Sequence, residues 1–221
     1  MKTKISIILI LMFMASLAYT QSTDRERISF AVLGGVNFQN LNGKDAAGDK
    51  LENDLILGYH AGINVQIPFV PQFFFQPGLL ITTKGTKVTE GSLTEKYKLV
   101  YVELPLNVVY KAILGKGSIM IGFGPYVAYG IGGKVITEGG SETDIEFKNV
   151  VETGDPYTAA YFKAFDVGGN IFAGYEFAGG IFCQLNTQFG MTKINPEDRR
   201  ISSDKTSIKN TGFGLSIGYR F

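Results

Sequence analysis

One cysteine, Cys183, and one histidine, His60, are all that the 221 residues offer for disulfide or imidazole chemistry. A lone cysteine excludes a disulfide framework within the chain. Cys183 also lies far from the N-terminal leader, which excludes the lipid anchor of a bacterial lipoprotein. Charge of one sign is lacking too: the net charge is +1, so there is no electrostatic footprint for a nucleic-acid partner. The acidic stretch 133–164 carries Glu138, Glu142, Asp144, Glu146, Glu152 and Asp155, but without the D-x-D-x-D-G spacing of a calcium loop. No metal and no cofactor is expected, and 133–164 and 43–54 read as solvated loops.

What is present begins with "MKTKISIILILMFMASLAYTQ". Lys2 and Lys4 precede an apolar run from Ile5 to Met14, and Ser16 and Ala18 suit a small-x-small cleavage site. This run is too short and too early for a spanning helix and reads as a secretory signal peptide over 1–20. Residues 21–221 then form one domain of ordinary size.

Glycine is abundant, 28 residues against an average usage of about 7%, and it sits inside alternating segments. "GFGLSIGYRF" (212–221) shows the pattern: Phe213, Leu215, Ile217, Tyr219 and Phe221 alternate with small or polar residues. A period of two is a β-strand with one apolar face. Seven other segments behave alike, predicting strands near 28–38, 55–67, 72–84, 98–111, 118–132, 165–177 and 181–192. The apolar face carries no charge in any of them. The opposite face carries glycines, amides and Asn37, His60, Thr82, Glu103, Asp166, Glu176 and Arg220. Such a polar face suits the crowded lumen of a narrow barrel, and the apolar face suits lipid.

The connections alternate. Segments 39–54, 85–97, 133–164 and 193–210 are long, whereas 68–71, 112–117 and 178–180 are short. The fold class expected is therefore all-β, an eight-stranded antiparallel up-and-down transmembrane β-barrel, closed so that no backbone group meets lipid unpaired. Long loops would be extracellular and both termini periplasmic. Outward aromatics should sort to the strand ends as interfacial girdles: Tyr110, Tyr175, Phe177, Tyr219 and Phe221 at one end, Phe38, Tyr129, Phe165 and Phe189 at the other. Pro77, Pro105 and Pro125 fall inside strands, where a bulge is the expected accommodation.

"YVELPLNVVYK" (101–111), "GFGPYVAYGIGGK" (122–134), "FDVGGNIFAGYEF" (165–177), "FFFQPGLLITTKG" (73–85) and the terminal "GYRF" resemble the PorT-type β-barrel family of outer-membrane proteins. The resemblance spans the mature chain. It implies an outer-membrane location and a link to secretion of surface proteins. The final Phe221, with Tyr219, likewise resembles the signal read by the outer-membrane assembly machinery.

A non-enzymatic outer-membrane protein with a surface-interaction or assembly/secretion role is the function expected. Its expected partners are outer-membrane lipid, the assembly machinery and a secretion or surface-protein partner. Alternatives are a lipid-modifying enzyme built on His60 and a narrow solute channel. His60 has no serine near it in sequence and faces inward, so it reads as a hydrogen-bonded lumen residue. Glu103, Asp166, Glu176, Lys111 and Arg220 read as a lumen network, since charges inside a filled eight-stranded barrel must be paired. Arg220 should meet Glu176 or, failing that, Glu103.

Overall fold

The computed structural model describes residues 27–201 and 203–221. The expected leader therefore lies outside the described residues. Twelve strands follow in order: β1 (Ser29–Lys44), β2 (Ile56–Val70), β3 (Phe73–Glu90), β4 (Leu93–Leu114), β5 (Gly117–Thr137), β6 (Glu142–Phe147), β7 (Val150–Val151), β8 (Ala160–Phe162), β9 (Phe165–Glu176), β10 (Ile181–Gly190), β11 (Glu197–Asp198) and β12 (Ser207–Arg220).

Eight of these close a ring in the order β1-β2-β3-β4-β5-β9-β10-β12, and every seam is antiparallel. The first and last strands seal it, from Ala31↔Arg220 to Lys44↔Ser207. Alternation places the side chains. Ile81, Phe123, Leu185, Leu215 and Ile217 stand exposed on the outside, while Asn37, Gln66, Gln76, Asn107, Asn170 and Ser216 are buried within. An apolar exterior around an amide-rich interior suits hydrocarbon outside a closed ladder.

Aromatics collect at the tight-turn end of the wall. Phe73 lies tilted against Tyr110 at 5.1 Å, Tyr175 meets Phe177 edge-on at 4.9 Å, and Tyr219 meets Phe221 edge-on at 4.8 Å. At the long-loop end Phe38 stacks on Phe213 at 5.2 Å. Glycines leave room for rings inside the barrel. A Cβ on Gly122 would lie 2.3 Å from the Phe172 ring, and one on Gly218 would lie 2.3 Å from the Phe182 ring.

Two expectations about connections need correction. The segment 85–97 is no loop: β3 and β4 run on past the apolar band and turn at Gly91, whose φ is +61°. Outside the lipid, the outward face need not be apolar, so the sequence period fades while the ladder continues from Lys84↔Leu99 to Glu90↔Leu93. Nor is 133–164 a solvated loop. β6 turns back along β5, and β8 pairs in parallel with β6. Ile145 and Phe162, with Ile194 from the last long loop, pack on Leu41, Leu99, Tyr101, Tyr126, Ala128 and Val135. Together they form a folded cap over the long-loop end.

The prolines sit at gaps rather than bulges. Between β2 and β3 pairing stops at Asn64↔Gly78 and resumes at Ile67↔Phe75, skipping Pro77. Between β3 and β4 it skips Pro105, and between β4 and β5 it skips Pro125, with the register unchanged each time. Each missing N–H thus falls in a different seam, and each gap is limited to two consecutive pairs before the ladder resumes. The register shifts that do occur lie at Pro68/Val70 and Val100/Tyr101.

Candidate functional site

The ionisable lumen residues fall into three clusters stacked along the barrel axis. Nearest the cap, Lys84 lies fully buried on the inward parity of β3. Its Nζ is 2.9 Å from Glu103 Oε2 on β4 and 3.1 Å from Asp166 Oδ2 on β9. The ammonium stands 4.0 Å from the centroid of the Tyr126 ring, a cation–π contact in a water-poor setting. The carboxylates are held by further donors. Gln188 Nε2 donates to Glu103 Oε1 at 2.6 Å, while Asn210 Nδ2 and Tyr126 Oη donate to Asp166 Oδ2 at 2.9 and 3.2 Å. Glu103 and Asp166 were expected in the lumen. Lys84, which joins them, was missed, although its parity with Thr82 was legible.

The middle cluster is built on His60. Asn37 Nδ2 donates to Thr82 Oγ1 at 3.0 Å, which leaves Asn37 Oδ1 to accept from His60 Nδ1 at 2.7 Å. Nε2 is then the acceptor, and Ser216 Oγ–H donates to it at 2.7 Å. Asn186 Nδ2 donates to the same serine oxygen at 3.1 Å. Gly35 makes room for the imidazole: a Cβ there would lie 2.6 Å from Cε1. A serine bonded to a histidine oriented by an asparagine has the order of groups used in nucleophilic catalysis. No serine lies near His60 in sequence, but strand pairing brings Ser216 to it. The cavity beside this chain of bonds measures about 60 Å³ and is lined by amides, including Asn107 and Asn170. That is room for a few waters, not for a lipid ester.

The third cluster lies at the tight-turn end. Arg220 Nε donates to Glu176 Oε2 at 2.8 Å, Lys111 Nζ donates to Glu176 Oε1 at 2.8 Å, and Arg220 Nη1 donates to Asn64 Oδ1 at 3.1 Å. Glu176, not Glu103, is therefore the acceptor for Arg220. An apolar layer of Ala31, Phe74, Val109, Met120, Phe172 and Phe182 packs across the lumen, and Lys111 and Arg220 lie against its Phe74 and Phe182 rings. A double-mutant cycle pairing Glu176→Gln with Arg220→Met, read by unfolding in lipid vesicles, should return a coupling of about 1–3 kcal/mol. A coupling of zero would mean that water, not the carboxylate, satisfies the guanidinium.

The cap has its own ion pairs. Lys148 Nζ lies 2.7 Å from Asp155 Oδ1, and that ammonium holds the Asp155 carboxyl below the usual carboxylate range. The Arg200 guanidinium does the same for Asp198, at 2.6 Å, while stacking over Tyr157 at 4.4 Å. Arg199 reaches Glu152 at 2.8 Å, and β11 pairs with β7, so the two long loops are tied together. At the opposite end Phe221 is 74% exposed on the outer wall beside Tyr219, its N–H bonded to Phe30 O at 2.8 Å. Among the described residues no cluster of histidine, cysteine and carboxylates suits a metal ion.

The model of a family described as outer membrane protein beta-barrel domain matches residues 19–195. Among solved structures, the chain is similar to Ail, the attachment invasion locus protein of Yersinia pestis, in complex with the heparin analogue sucrose octasulfate. That similarity has 14% identity, covers 89% of this chain and 100% of that one, and has a TM-score of 0.42. It is also similar to Neisserial surface protein A (10% identity, 89% and 100% covered, TM-score 0.47). OprG from Pseudomonas aeruginosa is a third (11% identity, 87% and 95% covered, TM-score 0.45). No curated protein matches the chain.

Proposed function

We propose, for a chain that belongs to the outer membrane protein beta-barrel domain family, that it is a sealed, non-enzymatic barrel of the outer membrane whose working part is the folded cap it displays. The observation that carries this reading is the filling of the lumen. The apolar layer of Phe74, Val109, Phe172 and Phe182 spans one end, and the Lys84 cluster and the packed residues of the cap fill the other. A small barrel filled in this way has no path for solute, so the narrow-channel alternative is disfavoured. The Ser216–His60–Asn37 chain supports an enzyme only if a lipid ester reaches it, and a cavity of about 60 Å³ between those layers does not admit one.

In this proposal residues 1–20 are removed on export, both ends of the barrel chain are periplasmic, and the cap faces the exterior. The PorT-type segments add a class of partner, a secreted or surface protein held at the cap. The assembly machinery is met at Tyr219 and Phe221. Orientation and display are tested together in a Cys183→Ser background, since Cys183 is exposed on the outer wall. A cysteine at Glu138, in the turn after β5, should react with a membrane-impermeant maleimide on intact cells. A cysteine at Lys116, in the tight turn before β5, should react only after the outer membrane is opened. The reverse pattern would overturn the proposed orientation.

A further inference from the structure

Lysines on the outer wall are paired with one another. In the β3–β4 seam Lys87 lies directly opposite Lys96, and in the β4–β5 seam Lys98 lies directly opposite Lys134. Alternation sends all four outward: Lys84, Thr86, Leu99 and Val135, on the other parity, are buried. Like charges directly opposite on an antiparallel ladder are destabilising, and here two such pairs adjoin. Lys87 has a partial remedy in Asp54 at 3.0 Å, and Lys134 in Glu142 at 2.6 Å and in Asp144, directly opposite it in the β5–β6 seam. Lys96 and Lys98, between them, have no carboxylate within 4.0 Å among the described residues.

Position says what the remaining charge meets. On the same strands the wall just below carries exposed Ile81, Tyr129 and Ile131, the edge of the lipid-facing band. Lys134 stands three residues beyond Ile131, and Lys98 lies opposite it, at headgroup depth; Lys96 and the Lys87 paired with it stand two residues further out. At the tight-turn end the strand cations behave differently: Lys111 and Arg220 turn inward to Glu176. The outward positions there hold residues such as Phe73, Ile119 and Tyr219.

We infer that Lys87, Lys96, Lys98 and Lys134 form a binding site for a phosphate-bearing lipid headgroup of the leaflet at the cap end. A phosphate lodged between the cross-strand pairs turns two repulsions into four attractions, and lysine ammonium groups bind it as point charges from a flat wall. The apolar band beneath receives the acyl chains of the same lipid, which a free phosphate would not use. In the proposed orientation this leaflet is the outer one.

The test uses the full-length protein refolded in phosphatidylcholine vesicles containing a minor fraction of phosphatidic acid. Lipid retained after detergent extraction is measured by mass spectrometry, and folding is checked by heat-modifiable migration. The native protein should retain phosphatidic acid in preference to phosphatidylcholine, and retention should fall as salt rises. The Lys96→Gln/Lys98→Gln variant should hold it roughly tenfold to thirtyfold more weakly. The Lys96→Arg/Lys98→Arg variant should retain it, as should a Lys116→Gln control at the opposite end. Inorganic phosphate at matching concentration should not displace the lipid. Undiminished retention in the double Gln variant, equal loss in the Lys116→Gln control, salt-independent retention by the native protein, or displacement by inorganic phosphate would each overturn the site. Vesicles carry the lipid in both leaflets, so this result is independent of the orientation tested by labelling.

Discussion

Replacing Lys84 by methionine should destabilise the folded barrel by at least about 3–5 kcal/mol, the cost of removing one partner from a buried ion pair. The effect should reach or exceed the upper end, because two carboxylates are stranded at once. Glu103 and Asp166 are each 0% exposed, and both depend on the same ammonium. Methionine keeps the apolar stem as far as Cε, so what is lost is the ammonium, with its two carboxylate contacts and its contact to the Tyr126 ring. Adding Asp166→Asn to the variant should recover part of the loss, since only Glu103 then remains unpaired. Denaturant unfolding in lipid vesicles reads both effects. A Lys84→Met barrel within about 1 kcal/mol of native would show that water reaches this cluster.

Phe221→Asp should strongly lower the amount of protein in the outer membrane while leaving refolding in vesicles nearly intact. The reason lies in where the residue sits. Phe221 is exposed on the outer wall beside Tyr219, 4.8 Å between ring centroids, and its backbone is tied to Phe30 through the β1–β12 closure. An acidic residue at the bilayer interface costs a barrel only about 0–1 kcal/mol, too little by itself to empty the membrane. A deficit in cells without a matching deficit in vitro would locate the defect in recognition by the assembly machinery. Native membrane levels of the variant would remove Phe221 from that role.

The closed ring was legible because its evidence is local. The alternation of Phe213, Leu215, Ile217 and Tyr219, repeated in seven other segments, separates lipid from lumen, and long–short connections leave hairpins as the only economical path. Legibility stopped where the bilayer stops. Beyond Lys84 and Leu99 the outward face turns polar, so nothing in the pattern distinguishes the extended β3–β4 hairpin from a loop. The cap was hidden for a different reason. Ile145, Phe162 and Ile194 follow no period and are buried only because Leu41, Leu99 and Val135 arrive from distant strands.

The lumen shows the same division. Parity alone turned Glu103, Asp166, Glu176, Arg220 and His60 inward, and the depth of Glu176 and Arg220 along their strands matched them to each other. His60 and Ser216 lie 156 residues apart in sequence, and only the pairing of β2 with β1 and of β1 with β12 makes them neighbours. The prolines were anticipated as disruptions, but the device was not. A gap confined to one seam per proline depends on which way each residue's N–H faces, and that follows from register rather than composition.

A sealed lumen, with the barrel working through the surface it displays, is the core of the proposed function. Planar-bilayer recording on refolded, heat-modifiable protein tests this most directly. Insertion should leave the membrane at its baseline conductance at neutral pH. Thinning the apolar layer by Phe172→Ala with Phe182→Ala, together with Arg220→Ala beside it, should produce at most brief openings, because the Lys84 cluster and the cap still close the other end. Steady, saturable conductance through the native protein would mean that the lumen is open and the proposed function is wrong.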